Sequence, residues 1–301
     1  MATAVSLSVI WNSIARAISK ASSKPFVLDQ KSTLSGGSIN HAYRISGGNQ
    51  HYFVKLNRAD NLAMFEAEMA GLHELAAAQA IRVPQPICTG AAADQSWLVT
   101  EYIELGNGRG ESAQCLGRQL ADLHRCQSEQ FGWFRDNTIG STPQHNTWTD
   151  DWLEFYREQR LSVQFELAAK NGFTGSLQHK GERLMANLGA FFSTYQAQPC
   201  LLHGDLWGGN CAFDVGGDPV IFDPAVYYGD READMAMTEL FGGFSAHFYA
   251  AYTEAWPLDA GYAVRKTLYN LYHILNHVNL FGATYAAQAE AMTDRLLAEI
   301  G

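Results

Sequence analysis

The chain is poor in charge and has no excess of the basic kind. Charged residues are 17% of its 301 residues, and 31 acidic against 21 basic side chains leave a formal net charge of -10. With both signs interspersed, neither nucleic acid nor an anionic membrane surface is an expected partner, whereas neutral or cationic molecules are. Cysteine is sparse and unpaired in sequence. Cys88, Cys115, Cys126, Cys200 and Cys211 form no CxxC pair, an odd and scattered set that fits reduced packing thiols in a cytoplasmic protein. No run of about 18 apolar residues occurs, so no membrane span is expected. Internal repeats, low-complexity tracts and long charge runs are also missing. The stretch "MATAVSLSVIWNSIARAISKASS" has no acid and much serine, as transit peptides do, but it lacks a basic n-region and Ser8, Asn12 and Ser13 interrupt its apolar run. An amphipathic helix is expected there instead, with Val9, Ile10, Ile14, Ala17 and Ile18 on one stripe.

Hydrophobic residues make up 47% of the chain, enough for one large domain or for two lobes that share a cleft. After the first helix, "FVLDQKSTLSGGSINHAYRISGGNQHYFVKLN" alternates in two stretches separated by glycine pairs, which predicts antiparallel strands joined by tight turns. Leu62, Phe65, Met69, Leu72 and Leu75 then recur at helical spacing, "SWLVTEYIEL" supplies another strand, and "GNGRG" is the candidate linker. Beyond it, helices are expected over 111–127, 149–170, 176–197, 231–255 and 261–299, with short strands near 199–203, 211–214 and 219–223. The predicted class is α+β and bilobal, with a small antiparallel-sheet lobe over residues 1–103 and a larger, mainly helical lobe over 104–301.

Chemistry concentrates in "LLHGDLWGGN". Four residues separate Asp205 from Asn210, the interval at which a kinase catalytic loop sets a carboxylate toward the acceptor hydroxyl and an amide oxygen toward the metal. Downstream, "PVIFDPA" brings Asp223 to the end of an apolar strand across a Gly216–Gly217 turn, so Asn210 and Asp223 together suit Mg²⁺ better than zinc. In the first lobe, "YFVKLN" projects Lys55 from mid-strand, where a buried ammonium needs a partner. Glu66 and Glu68 are the candidates, and Glu68 lies nearer the buried stripe of its helix. "LSGGSINHAYRI" supplies a glycine turn ahead of Lys55, short of the full GxGxxG pattern but placed to lay backbone N–H groups over phosphates. His273 and His277 lack the intervening glutamate and third ligand of a zinc helix, and His124, Trp148 and Trp152 read as packing residues.

Taken in order, Gly36–Gly37, Lys55, Glu68, "HGDLWGGN" and "FDPA" resemble the small-molecule branch of the protein-kinase-like fold, which includes aminoglycoside phosphotransferases and choline kinases. Within that branch "MFEAEMAGL", "NTIGSTPQHNTW", "DPAVYYGDREADMAMTELFGGF" and "LYNLYHILNHVNLFG" are similar to the fructosamine kinase (ketosamine-3-kinase) family over nearly the whole chain. The resemblance implies ATP- and Mg²⁺-dependent phosphorylation of the O3 hydroxyl of a ketoamine, free or protein-bound, to a labile product that frees the amine. It also implies Asp205 as base, Asn210 and Asp223 as Mg²⁺ ligands, Lys55 (with Glu68) and the Gly36–Gly37 turn as phosphate contacts, Glu101, Tyr102 and Ile103 in the adenine-facing hinge, and Trp207 as sugar platform. A cationic amine is expected near Asp230, Asp234 or Glu232. Two departures stand out: Asp230 where relatives more often have His, and Ser38 where some carry a loop cysteine, so no loop-cysteine switch is expected. Alternatives are an aminoglycoside or choline acceptor on the same fold, or an inactive nucleotide-binding scaffold, although Lys55, Asp205, Asn210 and Asp223 are all present. A monomer and a homodimer are both compatible with the sequence.

Overall fold

Residues 41–58 fold back on themselves as an antiparallel hairpin because Ile45, Val54 and Leu56 form an apolar face to bury. The structure is a computed structural model that describes residues 4–34 and 39–300. Its elements begin with α1 (Ala4–Ser22), β1 (Gln30–Leu34), β2 (His41–Gly47), β3 (Gln50–Arg58), α2 (Leu62–Ala77), β4 (Pro86–Ala92), β5 (Gln95–Glu101) and β6 (Leu105–Gly106). They continue with α3 (Ser112–His124), β7 (Asn137–Ile139), β8 (Thr142–Gln144), α4 (Trp152–Tyr156), α5 (Ser162–Lys170), α6 (Ser176–Ala186), β9 (Cys200–Leu202), β10 (Cys211–Asp214), β11 (Pro219–Ile221) and β12 (Tyr227–Gly229). Four helices end the chain: α7 (Arg231–Leu240), α8 (Ala246–Ala255), α9 (Tyr262–Phe281) and α10 (Ala286–Glu299). Met1–Gly108 with Ala212–Phe222 form one compact unit, and Arg109–Cys211 with Asp223–Gly301 form the other.

In the first unit five antiparallel strands run in the order β1-β2-β3-β5-β4. Ile10, Ile14 and Ile18 of α1 are fully buried and pack with Ile45, Val54, Leu56, Trp97 and Val99 of the sheet, each side chain contributing about 1.5–3 kcal/mol by leaving water. Val9, expected on that stripe, is exposed, and Trp11 takes its place against the sheet. Phe65, Leu72 and Leu75 form the buried stripe of α2. The same unit holds a second sheet, β11-β10-β6, whose strands come from two distant parts of the chain. Arg82 ties the two sheets together, donating to Glu101 at the end of β5 (2.8 Å) and to Asp214 of β10 (2.6 Å).

The second unit is mainly helical, and three of its expected helices are interrupted. The run 231–255 breaks into α7 and α8 at Gly242 and Gly243, whose φ angles are +92° and +74°, and 261–299 breaks into α9 and α10 at Gly282 (φ +83°). Left-handed glycines end helices without the steric cost that a Cβ would carry. The run 176–197 stops being α-helical at Ala186 and continues as a 3₁₀ turn over Leu188–Phe192, whereas 149–170 stays helical from Trp152 through a π-helical turn at Arg157–Leu161. The hairpin β7–β8 and strand β12, which pairs antiparallel with β9, were not expected from the sequence. Among the described residues no helix is long and apolar enough to cross a membrane.

Helices α3 and α8 approach most closely at Gly117, where an added Cβ would overlap the Phe248 carbonyl. This contact lets the Tyr252 hydroxyl of α8 reach His124 at the end of α3 (2.8 Å). Gly117→Val is therefore expected to lower stability by about 1–3 kcal/mol through overpacking, measured by chemical denaturation; an unchanged midpoint would contradict this close packing.

Candidate active site

β9 ends in a loop that its own apolar residues fix in place. Leu201 and Leu202 lead in and Leu206 follows Asp205, all three buried, so a half-buried Asp205 and an exposed Trp207 stand on either side of an anchored residue. The loop closes on itself where the Asn210 backbone N–H donates to the Trp207 carbonyl (2.9 Å). The Asn210 side-chain amide donates to the Asp205 carbonyl (2.8 Å) and to its carboxylate Oδ2 (3.1 Å), which turns the Asn210 amide oxygen the other way. Trp207 is 38% exposed and meets Phe241 edge-on at 6.0 Å, and a side chain at Gly209 would overlap its indole.

Asp223 follows β11 in the left-handed region, φ +58°. Two residues later the Ala225 N–H donates to the His203 carbonyl (2.8 Å), and a Cβ at Gly204 (φ +82°) would overlap the Ala225 carbonyl. The Asp223 segment and the Asp205 loop thus run side by side in the same unit. Their carboxylates interact: burial, and next the Asp223 charge, push the Asp205 carboxyl up to about 7 against the lowering effect of the Asn210 hydrogen bond. His203 is buried and its Nδ1 accepts from the Asp205 backbone N–H (3.2 Å).

All three acids expected to meet a cationic amine are buried, and that expectation needs correcting. Asp234, 1% exposed, turns both oxygens to the back of the loop, accepting from the backbone N–H of His203 (2.7 Å) and of Gly204 (2.8 Å). It also accepts from His124 Nε2 (3.2 Å), while His124 Nδ1 accepts from the Tyr252 hydroxyl and that hydroxyl accepts from Arg231 (3.0 Å). Burial alone would raise the Asp234 carboxyl, but these hydrogen bonds, His124 foremost, hold it below the usual range. Burial likewise keeps His124 neutral despite its carboxylate neighbour, which assigns its single proton to Nε2. Asp230, fully buried, caps α7 through the Glu232 N–H (3.0 Å) and accepts from the hydroxyls of Tyr195 (2.9 Å) and Tyr269 (2.5 Å). Glu232 is also buried and paired with Arg265. A substrate cation would have to displace these partners to reach any of the three.

In the first unit Lys55, 7% exposed on β3, donates to Glu68 of α2 at 2.6 Å, while Glu66 points to solvent. Glu101 is held by Arg82 and accepts from the Gln85 N–H (3.3 Å), and Tyr102 lies under the Arg44 guanidinium (4.6 Å) with Ile103 half-buried beside it. Gly36, Gly37 and Ser38 lie outside the described residues. Trp152 packs among Phe131, Phe155, Tyr156 and Tyr269, and burial lowers both His273 and His277.

The oxygen set fits a hard divalent cation. Asp205 and Asp223 crowd two carboxylates whose repulsion a dication would relieve, and the turned Asn210 amide adds a neutral oxygen. No group of three or more His, Cys, Asp or Glu side chains comes together as a metal cage among the described residues, so protein ligands would be few and phosphate oxygens would complete the shell.

An antiparallel sheet carrying a Lys–Glu pair and a helical unit carrying an Asp–Asn loop followed by a second Asp define a protein-kinase-like phosphotransferase. The profile of the fructosamine kinase family matches residues 10–299, and the chain belongs to that family. It is 49% identical to a protein named probable ketoamine kinase from Synechocystis sp., covering 95% of this chain and 97% of that one. To a chloroplastic protein-ribulosamine 3-kinase of Arabidopsis thaliana the identity is 45%, over 88% and 82%. A crystal structure assigned to the fructosamine-3-kinases, from Haemophilus somnus, superposes with TM-score 0.87 at 29% identity, over 95% and 97% of the chains. An ADP-bound aminoglycoside phosphotransferase shares the fold alone, with TM-score 0.65 at 13% identity over 95% and 98%.

Asp234→Asn leaves one of the two loop N–H groups facing an NH₂ donor. The variant is expected to lose about 1–3 kcal/mol of stability, read by denaturation, together with a fall in kcat larger than any change in nucleotide KM. Wild-type kcat in this variant would mean that the loop does not depend on the bracket.

Proposed function

We propose that the protein is an ATP-dependent ketoamine kinase that phosphorylates the 3-hydroxyl of ribulosamine or fructosamine adducts, free or on a protein. The observation that carries this reading is the Asp205 carboxyl, half-buried on an anchored loop beside Asn210 and raised to about 7 by burial and the Asp223 charge. Such a group is suited to taking a proton from a sugar hydroxyl near neutral pH. The hydroxyl oxygen attacks the γ-phosphorus as its proton passes to an Asp205 oxygen, the bond from the γ-phosphorus to the β,γ-bridging oxygen breaks, and ADP leaves. Most of the acceleration then comes from positioning and charge neutralisation.

Asn210 and Asp223 would hold Mg²⁺, which when bound supplies charge to the phosphate oxygens. Lys55, oriented by Glu68, would contact the α- and β-phosphates, with the Gly36–Gly37 turn and Glu101–Ile103 serving the rest of the nucleotide. Trp207 offers its face to the C–H side of the sugar, and Phe241 stands beside it. The sheet unit is accordingly the nucleotide-binding part and the helical unit the catalytic one, in a cytoplasmic protein whose five cysteines are free thiols. An aminoglycoside or choline acceptor is not favoured, because the family match runs through residues 10–299.

Mg²⁺-dependent ATP consumption, measured against a ribulosamine, a fructosamine, an aminoglycoside and choline, is expected on the ketoamines only. Asp205→Asn is expected to lower kcat by about 10²–10⁴-fold with the fold intact. Turnover on the aminoglycoside alone, or nucleotide binding with no acceptor turned over, would overturn the reading.

A further inference from the structure

Behind the Asp223 segment lies a set of buried polar side chains that the reaction above does not use. Gln144, the last residue of β8, is 1% exposed, and both ends of its amide are engaged. Its Nε2 donates to the Ala225 carbonyl (3.1 Å) and to Asn137 Oδ1 (2.8 Å), and its Oε1 accepts from the Tyr272 hydroxyl (2.7 Å). Asn137 Nδ2 donates to the next carbonyl, that of Val226 (2.8 Å). Asn146 donates to Asn137 Oδ1 (3.0 Å) and accepts from Arg160 Nη2 (2.8 Å). The fully buried Arg160 guanidinium lies over Tyr227 (4.1 Å) and Phe155 (4.6 Å) and donates to the His145 carbonyl (2.6 Å).

All of this converges on two consecutive carbonyls. The Ala225 N–H is already committed to His203, so the backbone is gripped at Ala225 N–H, Ala225 C=O and Val226 C=O. Asp223 lies two residues upstream at φ +58°, a left-handed conformation that residues with a Cβ adopt uncommonly, although aspartate tolerates it better than most. It also precedes a proline, and such residues are pushed toward extended backbone. Pro224, with its φ locked by the ring, is a stiff connection between the gripped Ala225 and the left-handed Asp223. A buried polar array of this kind is costly, the more so because Arg160 Nε has no hydrogen-bond partner among the described residues, and an apolar filling of equal volume would hold the helices together as well. What the array does that an apolar filling could not is fix two backbone oxygens.

We propose that Gln144 is a positioning residue for Asp223: by gripping the Ala225 carbonyl it keeps Asp223 in the left-handed conformation that brings its carboxylate beside Asp205, and so sets the affinity of the site for a divalent cation. The proposal rests on the reading of Asp223 as a metal ligand. Tyr272, which orients the Gln144 amide, acts one step further back.

The test is a binding measurement on the full chain. Free Mn²⁺ is followed by electron paramagnetic resonance during titration in the presence of ADP, for wild type, Gln144→Met, Tyr272→Phe, Asp223→Asn and a control, Leu184→Ala, which lightens a buried position of α6 outside the array. Gln144→Met is expected to weaken Mn²⁺ binding about tenfold, the size of effect seen when support behind a metal ligand is removed. Tyr272→Phe, which keeps the ring and loses only the hydroxyl, is expected to shift binding in the same direction by less, and it decides the matter alone if Gln144→Met does not fold. Asp223→Asn should weaken binding most, and Leu184→Ala should leave it unchanged despite its lower melting temperature. Wild-type Mn²⁺ affinity in both array variants, with Asp223→Asn impaired, overturns the clamp and leaves the Asp223 reading standing. Unchanged affinity in Asp223→Asn overturns both. Weakening in Leu184→Ala equal to that in Gln144→Met overturns the clamp as well, because the effect would then follow stability alone.

Discussion

The Asp234 carboxylate, with a backbone N–H of the Asp205 loop on each of its oxygens, is the interaction on which the rest of the site depends. For Asp205 to serve as the base proposed above, its loop has to be held from behind through its main chain. An ionised group buried this deeply would cost several kcal/mol without donors. Here the donors form a sequence: Arg231 to Tyr252, Tyr252 to His124, His124 to Asp234, with the loop N–H groups completing the shell. The neutral state of His124 matters to this order, because it gives the ring one donor and one acceptor facing opposite ways. The close approach of α3 and α8 at Gly117 brings Tyr252 within reach, so a packing feature of two helices ends in the geometry of a loop.

The second carboxylate is held by a different means to the same end. Asp223 has a left-handed backbone, and its segment and the Asp205 loop are stitched together where Ala225 meets His203 and Gly204. Burial, and next the Asp223 charge beside it, make the Asp205 carboxyl harder to ionise. On the proposed function, that cost would favour a cation beside the pair and a proton on Asp205.

Much of this was legible in the sequence where one residue's role follows from its own spacing. The pairing of Lys55 with Glu68 followed from the helical wheel of α2, and the shared turn of Asp205 and Asn210 from their interval. The helix breaks at Gly242, Gly243 and Gly282 were misread because apolar periodicity continues across them and a glycine's φ is not visible in a one-dimensional pattern. Asp230 and Asp234 were misread for a related reason. Acids at the start of a helix look like solvent or substrate contacts until their partners are known, and those partners are distant in sequence: Tyr195, Tyr269 and His124. The β7–β8 hairpin is short and polar, so neither periodicity nor apolar content marked it, although it supplies Gln144 and Asn137.

The proposed reaction delivers a phosphoryl group to one particular hydroxyl of a ketoamine. The most direct test is to isolate the product formed from a synthetic ribulosamine, ATP and Mg²⁺ and to record its phosphorus–proton correlation NMR spectrum. The account predicts coupling of the new phosphorus to the proton on C3. A phosphate on any other carbon, or on the carrier amine's own side chain, would contradict it.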